Sequence, residues 1–218
     1  MSNRDLVSKT ENFVHKKFDG EHTGHDWWHM YRVWQLAKHI AREERGANLL
    51  IVELAALLHD IADFKFHNGD IEAGPKEARK WLMSIKADQK VIDHVEDIIR
   101  NISFKGSEVS NNLKTLEGKI VHDADKLDAI GAIGIARVFA YSGAHERPIY
   151  TPGEKVASHK TVEEFLTSKP SAVTHFHEKL LLLKSRMCTK TGREMAIRRH
   201  EYMEKFLEEF HSEWEGGS

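Results

Sequence analysis

The chain has 218 residues, of which 40% are hydrophobic and 30% are charged, with a formal net charge of -2. This composition is typical of a globular domain with a sizeable core, and the near-neutral charge favours neither a nucleic-acid nor an anionic-membrane partner. No run approaches the ~18 apolar residues of a membrane span, and the N-terminal residues lack the apolar core of a signal peptide. Since the single Cys188 cannot form an internal disulfide, we expect a cytoplasmic protein.

Apolar residues at helical spacing predict helices through the first half of the chain. The predicted helices cover residues 5–18, 26–45, 75–83 and 88–102, with a further helix that begins after Asn48 and ends at the pair His59-Asp60. Asn48 is a preferred N-cap residue, and Gly46 is a natural C′ residue for the helix before it.

The second half is also predicted to be helical. Residues 113–141 show one continuous helical pattern, and residues 171–188 and 190–214 show two more. Between them, residues 142–161 contain glycines and prolines and are expected to form a long mobile loop, of the kind that often serves as a lid. No period-2 pattern indicates a strand, so the sequence predicts an all-α fold in a single domain.

The polar pair His59-Asp60 directly follows an apolar run, residues 55–58. Neighbouring positions on a helix point about 100° apart, so the two side chains flank one direction and can share a cation. Asp63 lies roughly one turn further on. The alternative is that His59 caps its own helix while Asp60 and Asp63 face the solvent.

Three other stretches carry residues of the metal-ligand type. In residues 24–32, His25 and His29 share a helix face; alternatively, these histidines lie at the rim of an aromatic core. In residues 122–128, three aspartates interrupt an otherwise apolar helix, where buried carboxylates need partners. In residues 175–179, ordinary surface histidines explain the pattern about as well.

Taken together, His29, His59, Asp60 and Asp125 form the pattern H…HD…D. Two imidazoles and two carboxylates suit Mn²⁺, Fe²⁺, Ni²⁺ or Zn²⁺ better than Ca²⁺. A metal that accepts six ligands would keep two positions for a water and a phosphate oxygen, which is the arrangement that metal-assisted hydrolysis requires.

These residues and their surroundings resemble the HD-domain phosphohydrolase family. His29 precedes Val33 by four residues, Leu-Leu precedes His59-Asp60, and Asp125 lies in an Ala-Asp-Lys-Leu run. The longer segments GHDWWHMYRV, DADKLDAIGAIGIAR and RRHEYMEKFLEEFHSEW are similar to a small stand-alone bacterial subgroup, so the resemblance extends over about residues 20–214.

The resemblance implies a helical HD-domain fold. It implies one domain over residues 1–214, with a metal-binding core at about 20–141 and C-terminal helices at 162–214, followed by a flexible tail at 215–218. One divalent metal would be held by the four residues of the H…HD…D pattern, with Mn²⁺ expected and Ni²⁺, Fe²⁺, Mg²⁺ or Zn²⁺ as alternatives. One metal is favoured over two because His94 and residues 98–103 do not clearly supply further histidine ligands.

In the same family, an acidic residue after the HD pair helps to handle the attacking water. Asp63 occupies that position, where several relatives carry the longer Glu. The reaction implied is hydrolysis of a phosphoester or phosphoanhydride, most often in a nucleotide.

A site that cleaves phosphate needs cations opposite the non-bridging oxygens. Arg32, Lys65 and Lys105 are candidates, although each lysine is individually more typical of a solvated surface. His25 could donate to a phosphate. Asp128 could bind a sugar hydroxyl or orient a ligand.

The leading hypothesis is a nucleoside triphosphate pyrophosphohydrolase, with a small-molecule nucleotide as its partner. Within the same class, the alternatives are a nucleoside monophosphatase or a cyclic-nucleotide phosphodiesterase. From other classes, the alternatives are a non-catalytic nucleotide-binding module and, more distantly, a helical nucleic-acid-binding protein. The sequence leaves the oligomeric state open.

Overall fold

The computed structural model describes residues 1–20, 26–62, 70–102, 113–156 and 170–217. Regular structure in these ranges is helical, without a strand, which confirms the predicted all-α fold. The helices are α1 (Asn3–Lys17), α2 (Trp27–Glu44), α3 (Leu49–Leu58), α4 (Ala73–Ser84), α5 (Gln89–Ile102), α6 (Leu116–Asp128), α7 (Gly131–Ala144), α8 (Ala172–Glu178), a 3₁₀ helix (Leu180–Arg186) and α9 (Lys190–Trp214).

The predicted helix starts are confirmed where a polar side chain caps the first turn. The Asp26 carboxylate accepts a hydrogen bond from the His29 N–H at 2.8 Å, and the Asn48 side chain accepts one from the Leu50 N–H at 3.1 Å. Such bonds satisfy N–H groups that have no partner inside the helix. These two caps fix where α2 and α3 begin.

The continuous helix predicted for residues 113–141 is wrong, because the chain forms α6 and α7 with a break between them. Gly131 has φ +76°, a backbone conformation that a glycine adopts without strain. A Cβ atom on Gly134 would overlap the carbonyl oxygen of Ala129. The apolar run continues through the break, so hydrophobic periodicity does not reveal it.

The single helix predicted for residues 171–188 is also wrong. After α8, Lys179 adopts φ -139° and ψ -57°, which ends the α-helix, and a 3₁₀ helix follows. Leu180 and Leu183 are both buried, and a spacing of three residues places them on the same face of a 3₁₀ helix.

The predicted loop over residues 142–161 begins later than expected, since residues 142–144 complete α7. The following segment is joined to α8 by backbone hydrogen bonds, from the Ala172 N–H to the Pro148 carbonyl at 2.9 Å and from the Val173 N–H to the Ile149 carbonyl at 3.0 Å. Residues 157–161 lie outside the described residues, and a role as a lid stays a prediction.

Glu154 adds a side-chain connection to the same helix start. Its carboxylate accepts hydrogen bonds from the Ser171 N–H at 3.1 Å and from the Thr174 hydroxyl at 2.6 Å. Burial acts to raise the pKa of Glu154, but the hydrogen bonds from Ser171 and Thr174 outweigh burial and lower that pKa below its ordinary value.

The chain divides into two compact units. In the first, which includes α1–α5 and α6 up to Ala124, the apolar helix α3 packs against α1, α2 and α5. From Leu50 to Leu58 every residue of α3 except Glu53 is buried. The burial of α3 places the residues that follow it, His59 and Asp60, at the edge of this core.

The second unit begins at Asp125 in the last turn of α6 and includes α7, α8, the 3₁₀ helix and α9. Its aromatic core contains Phe139, Phe176, Phe206 and Phe210, with neighbouring ring centroids 5.8–6.5 Å apart. The single domain over residues 1–214 stays a prediction.

Among the described residues, no helix on its own has the length and apolar character to cross a membrane, although α6 and α7 together, bent at their junction, meet those two criteria.

Candidate metal site

Three of the four predicted metal ligands come together within the first unit. His29 lies in the first turn of α2, where the Asp26 cap holds its backbone, and His59 and Asp60 directly follow the last residue of α3. The Oδ2 atom of Asp60 lies 3.5 Å from Nε2 of His59 and 3.6 Å from Nε2 of His29. One carboxylate oxygen therefore faces two imidazoles.

Burial differs between the members of this group. His29 is 1% exposed and His59 4% exposed, whereas the Asp60 side chain is 21% exposed. The two imidazole rings meet edge to face, with centroids 5.3 Å apart. The group is thus buried on its histidine side and accessible on its carboxylate side.

The tautomer of His59 follows from a hydrogen bond. Its Nδ1 lies 2.8 Å from the carbonyl oxygen of Ala56, and since a carbonyl only accepts, Nδ1 must carry the proton. In the neutral ring, Nε2 then presents a lone pair toward the Asp60 oxygen, which is a repulsive pairing. Either protonation of Nε2 or a cation between the groups removes this repulsion.

A divalent cation fits this group better than protonation. Two imidazolium ions would repel each other with their ring centroids 5.3 Å apart, and burying such charge is costly. A divalent cation satisfies nitrogen lone pairs and carboxylate oxygens together, and imidazole with carboxylate is a common donor set for first-row metals. The hydrogen bond to Ala56 is also the kind of contact that orients a metal-binding histidine.

The fourth predicted ligand, Asp125, lies in the last turn of α6, at the start of the second unit. Its Oδ2 atom is 2.8 Å from the ammonium nitrogen of Lys126, and its side chain is 23% exposed. Ligation by Asp125 stays a prediction. Lys126, whose side chain is only 14% exposed, was not selected from the sequence, although it lies inside the Ala-Asp-Lys-Leu run.

Asp128 is almost fully buried, and its Oδ2 atom accepts a hydrogen bond from Nη1 of Arg137 at 2.9 Å. Of the two roles predicted for Asp128, orienting another group is compatible with this contact. Binding a sugar hydroxyl would require the carboxylate to release or share Arg137. Both roles stay predictions.

The remaining polar candidates have separate positions. His122 pairs with the buried Asp123, with Nδ1 and Oδ1 3.0 Å apart. His94 faces Glu117, with Nε2 and Oε2 3.7 Å apart, and the expectation of one metal ion instead of two stays a prediction. Arg32 is partly buried on α2, one turn beyond His29. The other predicted residues lie outside the described ranges: His25, Asp63, Lys65 and Lys105.

Comparison with known proteins connects this geometry to a family. The family model of the HD domain matches residues 27–130, a range that includes all four predicted metal ligands. The Bacillus subtilis protein YpgQ is 37% identical over 211 residues, which cover 96% of this chain and 94% of YpgQ.

Solved structures give the same result. A Bacillus thuringiensis protein described as an HD-superfamily hydrolase is 39% identical, with a TM-score of 0.76, and the match covers 98% of this chain and 99% of that chain. A Lactobacillus plantarum protein superimposes with a TM-score of 0.86 at 33% identity, over 99% of this chain and all of the other. The structure of YpgQ in complex with ADP matches with a TM-score of 0.75 at 35% identity, over 95% of this chain and 97% of YpgQ.

The motif, the geometry of the two histidines and the full-length relatives agree, and they point to a hydrolase. HD domains bind divalent metals, and His29, His59 and Asp60 of the first unit are side chains of the metal-ligand type that lie close together. The chain belongs to the HD-domain family.

Proposed function

We propose that the protein is a divalent-metal-dependent phosphohydrolase of nucleotides, in its preferred form a nucleoside triphosphate pyrophosphohydrolase. The observation that carries this proposal is the convergence of two buried imidazoles on one oxygen of Asp60. This arrangement favours a cation at the mouth of the group, on the side where the carboxylate is accessible.

In this proposal His29, His59, Asp60 and Asp125 hold one divalent metal ion, with Mn²⁺ preferred. When bound, such an ion polarises a phosphoryl oxygen and lowers the pKa of a coordinated water. The protein contributes the orientation of the ligands. Ala56 fixes the ring of His59, and the Asp26 cap fixes the backbone that carries His29.

The other groups of the chain act on the proton and on the phosphate charge. Asp63 accepts the proton of the attacking water, the role that the family resemblance gives to this position. Arg32, Lys65, Lys105 and Lys126, the last of which pairs with the proposed ligand Asp125, offset negative charge on the non-bridging oxygens.

A nucleotide substrate is supported by the YpgQ complex with ADP, because that relative matches nearly the whole chain. The choice of a triphosphate rests on charge. In this proposal Arg32, Lys65 and Lys105 surround one metal site. Together they would exceed what a single phosphate requires, and they would suit a polyphosphate chain that must be held at more than one oxygen.

A nucleotide screen tests the proposal. The protein is incubated with Mn²⁺ and nucleoside mono-, di- and triphosphates or cyclic nucleotides, and phosphate and pyrophosphate are measured separately. We expect triphosphates to yield monophosphate and pyrophosphate. In ¹⁸O water, label in the monophosphate supports attack at the α-phosphorus. Label in free orthophosphate would instead favour the phosphatase alternative.

The main alternative from another class is a module that binds a nucleotide without hydrolysing it. The variant Asp63→Asn separates the two functions. We expect it to retain metal and nucleotide binding while the turnover rate falls by roughly 10²–10⁴-fold, the usual contribution of a general base. A wild-type protein that binds nucleotides with Mn²⁺ and releases no product from any of them would support the binding module.

A further inference from the structure

We propose that Arg137 and Arg199 act as positioning residues that hold the last turn of α6 and, through it, the carboxylate of Asp125. This inference rests on the proposed role of Asp125 as a metal ligand. All the residues in the argument that follows belong to the second unit.

The end of α6 has an unusual cap. The last four carbonyl groups of a helix have no partner within it, and a glycine directly after the helix commonly allows the backbone to satisfy them. Here Ala129 and Ile130 follow α6, and their N–H groups bond back to the carbonyls of Lys126 and Leu127, both at 3.2 Å. Two arginines from later helices complete the cap.

Arg137 of α7 binds Asp128 twice. Its Nη1 atom donates to the Asp128 carboxylate at 2.9 Å and to the Asp128 carbonyl at 3.3 Å. A single guanidinium nitrogen therefore holds both the side chain and the backbone of the last residue of α6. The Asp128 side chain is 1% exposed, so the carboxylate end of this charge-assisted contact is shielded from water.

Arg199 of α9 reaches the same helix end from a distant part of the sequence. Its Nη1 atom donates to the carbonyl of Leu127. The stem of Arg199 lies against Gly131, where an added Cβ atom would approach Cγ of Arg199 to 3.0 Å. Burial lowers the pKa of Arg199, and the nearby Asp128 acts in the opposite direction. A partly buried cation at a helix C-terminus, such as Arg199, is also favoured by the helix dipole.

These contacts affect Asp125 because it precedes Asp128 by three residues, in the same helical turn. The last turn of a helix frays readily, and fraying would swing the Asp125 side chain. Two guanidinium groups bound to Leu127 and Asp128 limit this motion. The predicted result is a preorganised carboxylate, so loss of a guanidinium weakens metal binding although every ligand remains present.

Calorimetric titration of the purified protein with Mn²⁺ tests the inference. We expect Arg199→Ala to weaken Mn²⁺ binding by about 10-fold, the lower end of the effect of residues that orient metal ligands. Arg199→Lys keeps an aliphatic stem, a positive charge and a hydrogen-bond donor. Its affinity for Mn²⁺ should lie between that of Arg199→Ala and that of the wild type. The matched control is Arg198→Ala, since Arg198 is the exposed neighbour on α9; it should bind Mn²⁺ as the wild type does.

A double-mutant cycle with Asp125→Asn separates positioning from general structural support. If Arg199 acts through Asp125, Arg199→Ala should weaken Mn²⁺ binding in the wild type and have little further effect in the Asp125→Asn background. An equal loss in both backgrounds would overturn the inference. A folded Arg199→Ala variant that binds Mn²⁺ with wild-type affinity would also overturn it. If Arg199→Ala does not fold, wild-type affinity in a folded Arg199→Lys variant would do the same. If Asp125→Asn itself binds Mn²⁺ as the wild type does, the ligand assignment fails and the positioning role with it.

Discussion

The ends of α3 and α6 each bring a carboxylate close to nitrogen atoms. The nitrogens belong to imidazoles at the end of α3 and to guanidinium groups at the end of α6. At the end of α3, the Asp60 oxygen lies 3.5 Å from Nε2 of His59, whose Nδ1 donates to the Ala56 carbonyl. At the end of α6, the Asp128 carboxylate and the Leu127 carbonyl receive N–H groups from Arg137 and Arg199. The first arrangement favours an added cation, whereas the second supplies its cations from the protein itself.

The difference shows how a binding site can be distinguished from a structural ion pair. A carboxylate that meets arginine in a low-dielectric interior is stabilised in the absence of any ligand, and removing it leaves a buried charge uncompensated. A carboxylate that faces two imidazoles is instead stabilised by a bound metal cation that it shares with them. Identical substitutions at Asp60 and Asp128 should therefore have different consequences.

The largest effect is expected from Asp60→Asn on metal binding. The substitution keeps the shape of the side chain and removes its charge, so Mn²⁺ affinity should fall by at least ~100-fold, the upper range for residues that only orient ligands. The free energy of unfolding of the metal-free protein at neutral pH should change by less than ~0.5 kcal/mol. Calorimetric titration and urea unfolding measure the two quantities. A large destabilisation of the metal-free protein would instead indicate that Asp60 forms an ion pair with a protonated histidine.

The same substitution at the other region, Asp128→Asn, should act on stability. It leaves the guanidinium of Arg137 partly buried beside a neutral amide. We expect the free energy of unfolding to fall by about 2–3 kcal/mol, below the full cost of breaking a buried pair because Arg137 is 23% exposed. Urea unfolding without metal gives this value, with Asp60→Asn as the matched control. Equal stability of the two variants would remove the distinction between the regions.

A smaller effect is expected at Glu154, a carboxylate that also has its donors within the protein. Glu154→Gln should destabilise by about 1 kcal/mol at neutral pH, since it weakens the hydrogen bonds from Ser171 and Thr174. Folding lowers the pKa of Glu154 from its ordinary 4.5. Its contribution is therefore fully present above that value and is lost as the pH falls through the folded-state pKa. The free energies of unfolding of the wild type and Glu154→Gln, measured between pH 7 and pH 3, should approach each other as the pH falls. A difference that stays constant with pH would assign the effect to packing.

Local patterns explain how much of the fold could be predicted from the sequence. Asp26 and Asn48 mark helix starts through side-chain chemistry that acts over three residues, and both predictions are confirmed. The break after Asp128 was missed because apolar residues continue on both sides of it. Gly131 was visible in the sequence, but the local pattern shows neither its positive φ nor the side chain of Arg199 that lies beside it.

The same contrast applies to the candidate site. His29, His59 and Asp60 were predicted as a group from the motif, and the structure places their ligand atoms together. The partner of Asp128 could not be predicted, because Arg137 lies nine residues away, beyond a helix break. Arg199 and Leu127 are 72 residues apart, and no spacing rule connects such positions.

The contacts between residues 148–154 and the start of α8 have a consequence for how the chain can vary. Two backbone hydrogen bonds reach the start of α8 from residues 148 and 149, and the Glu154 carboxylate reaches it five residues later. A change in the length of residues 150–153 would shift Glu154 relative to the two backbone bonds. Insertions or deletions within these four residues should therefore destabilise the start of α8.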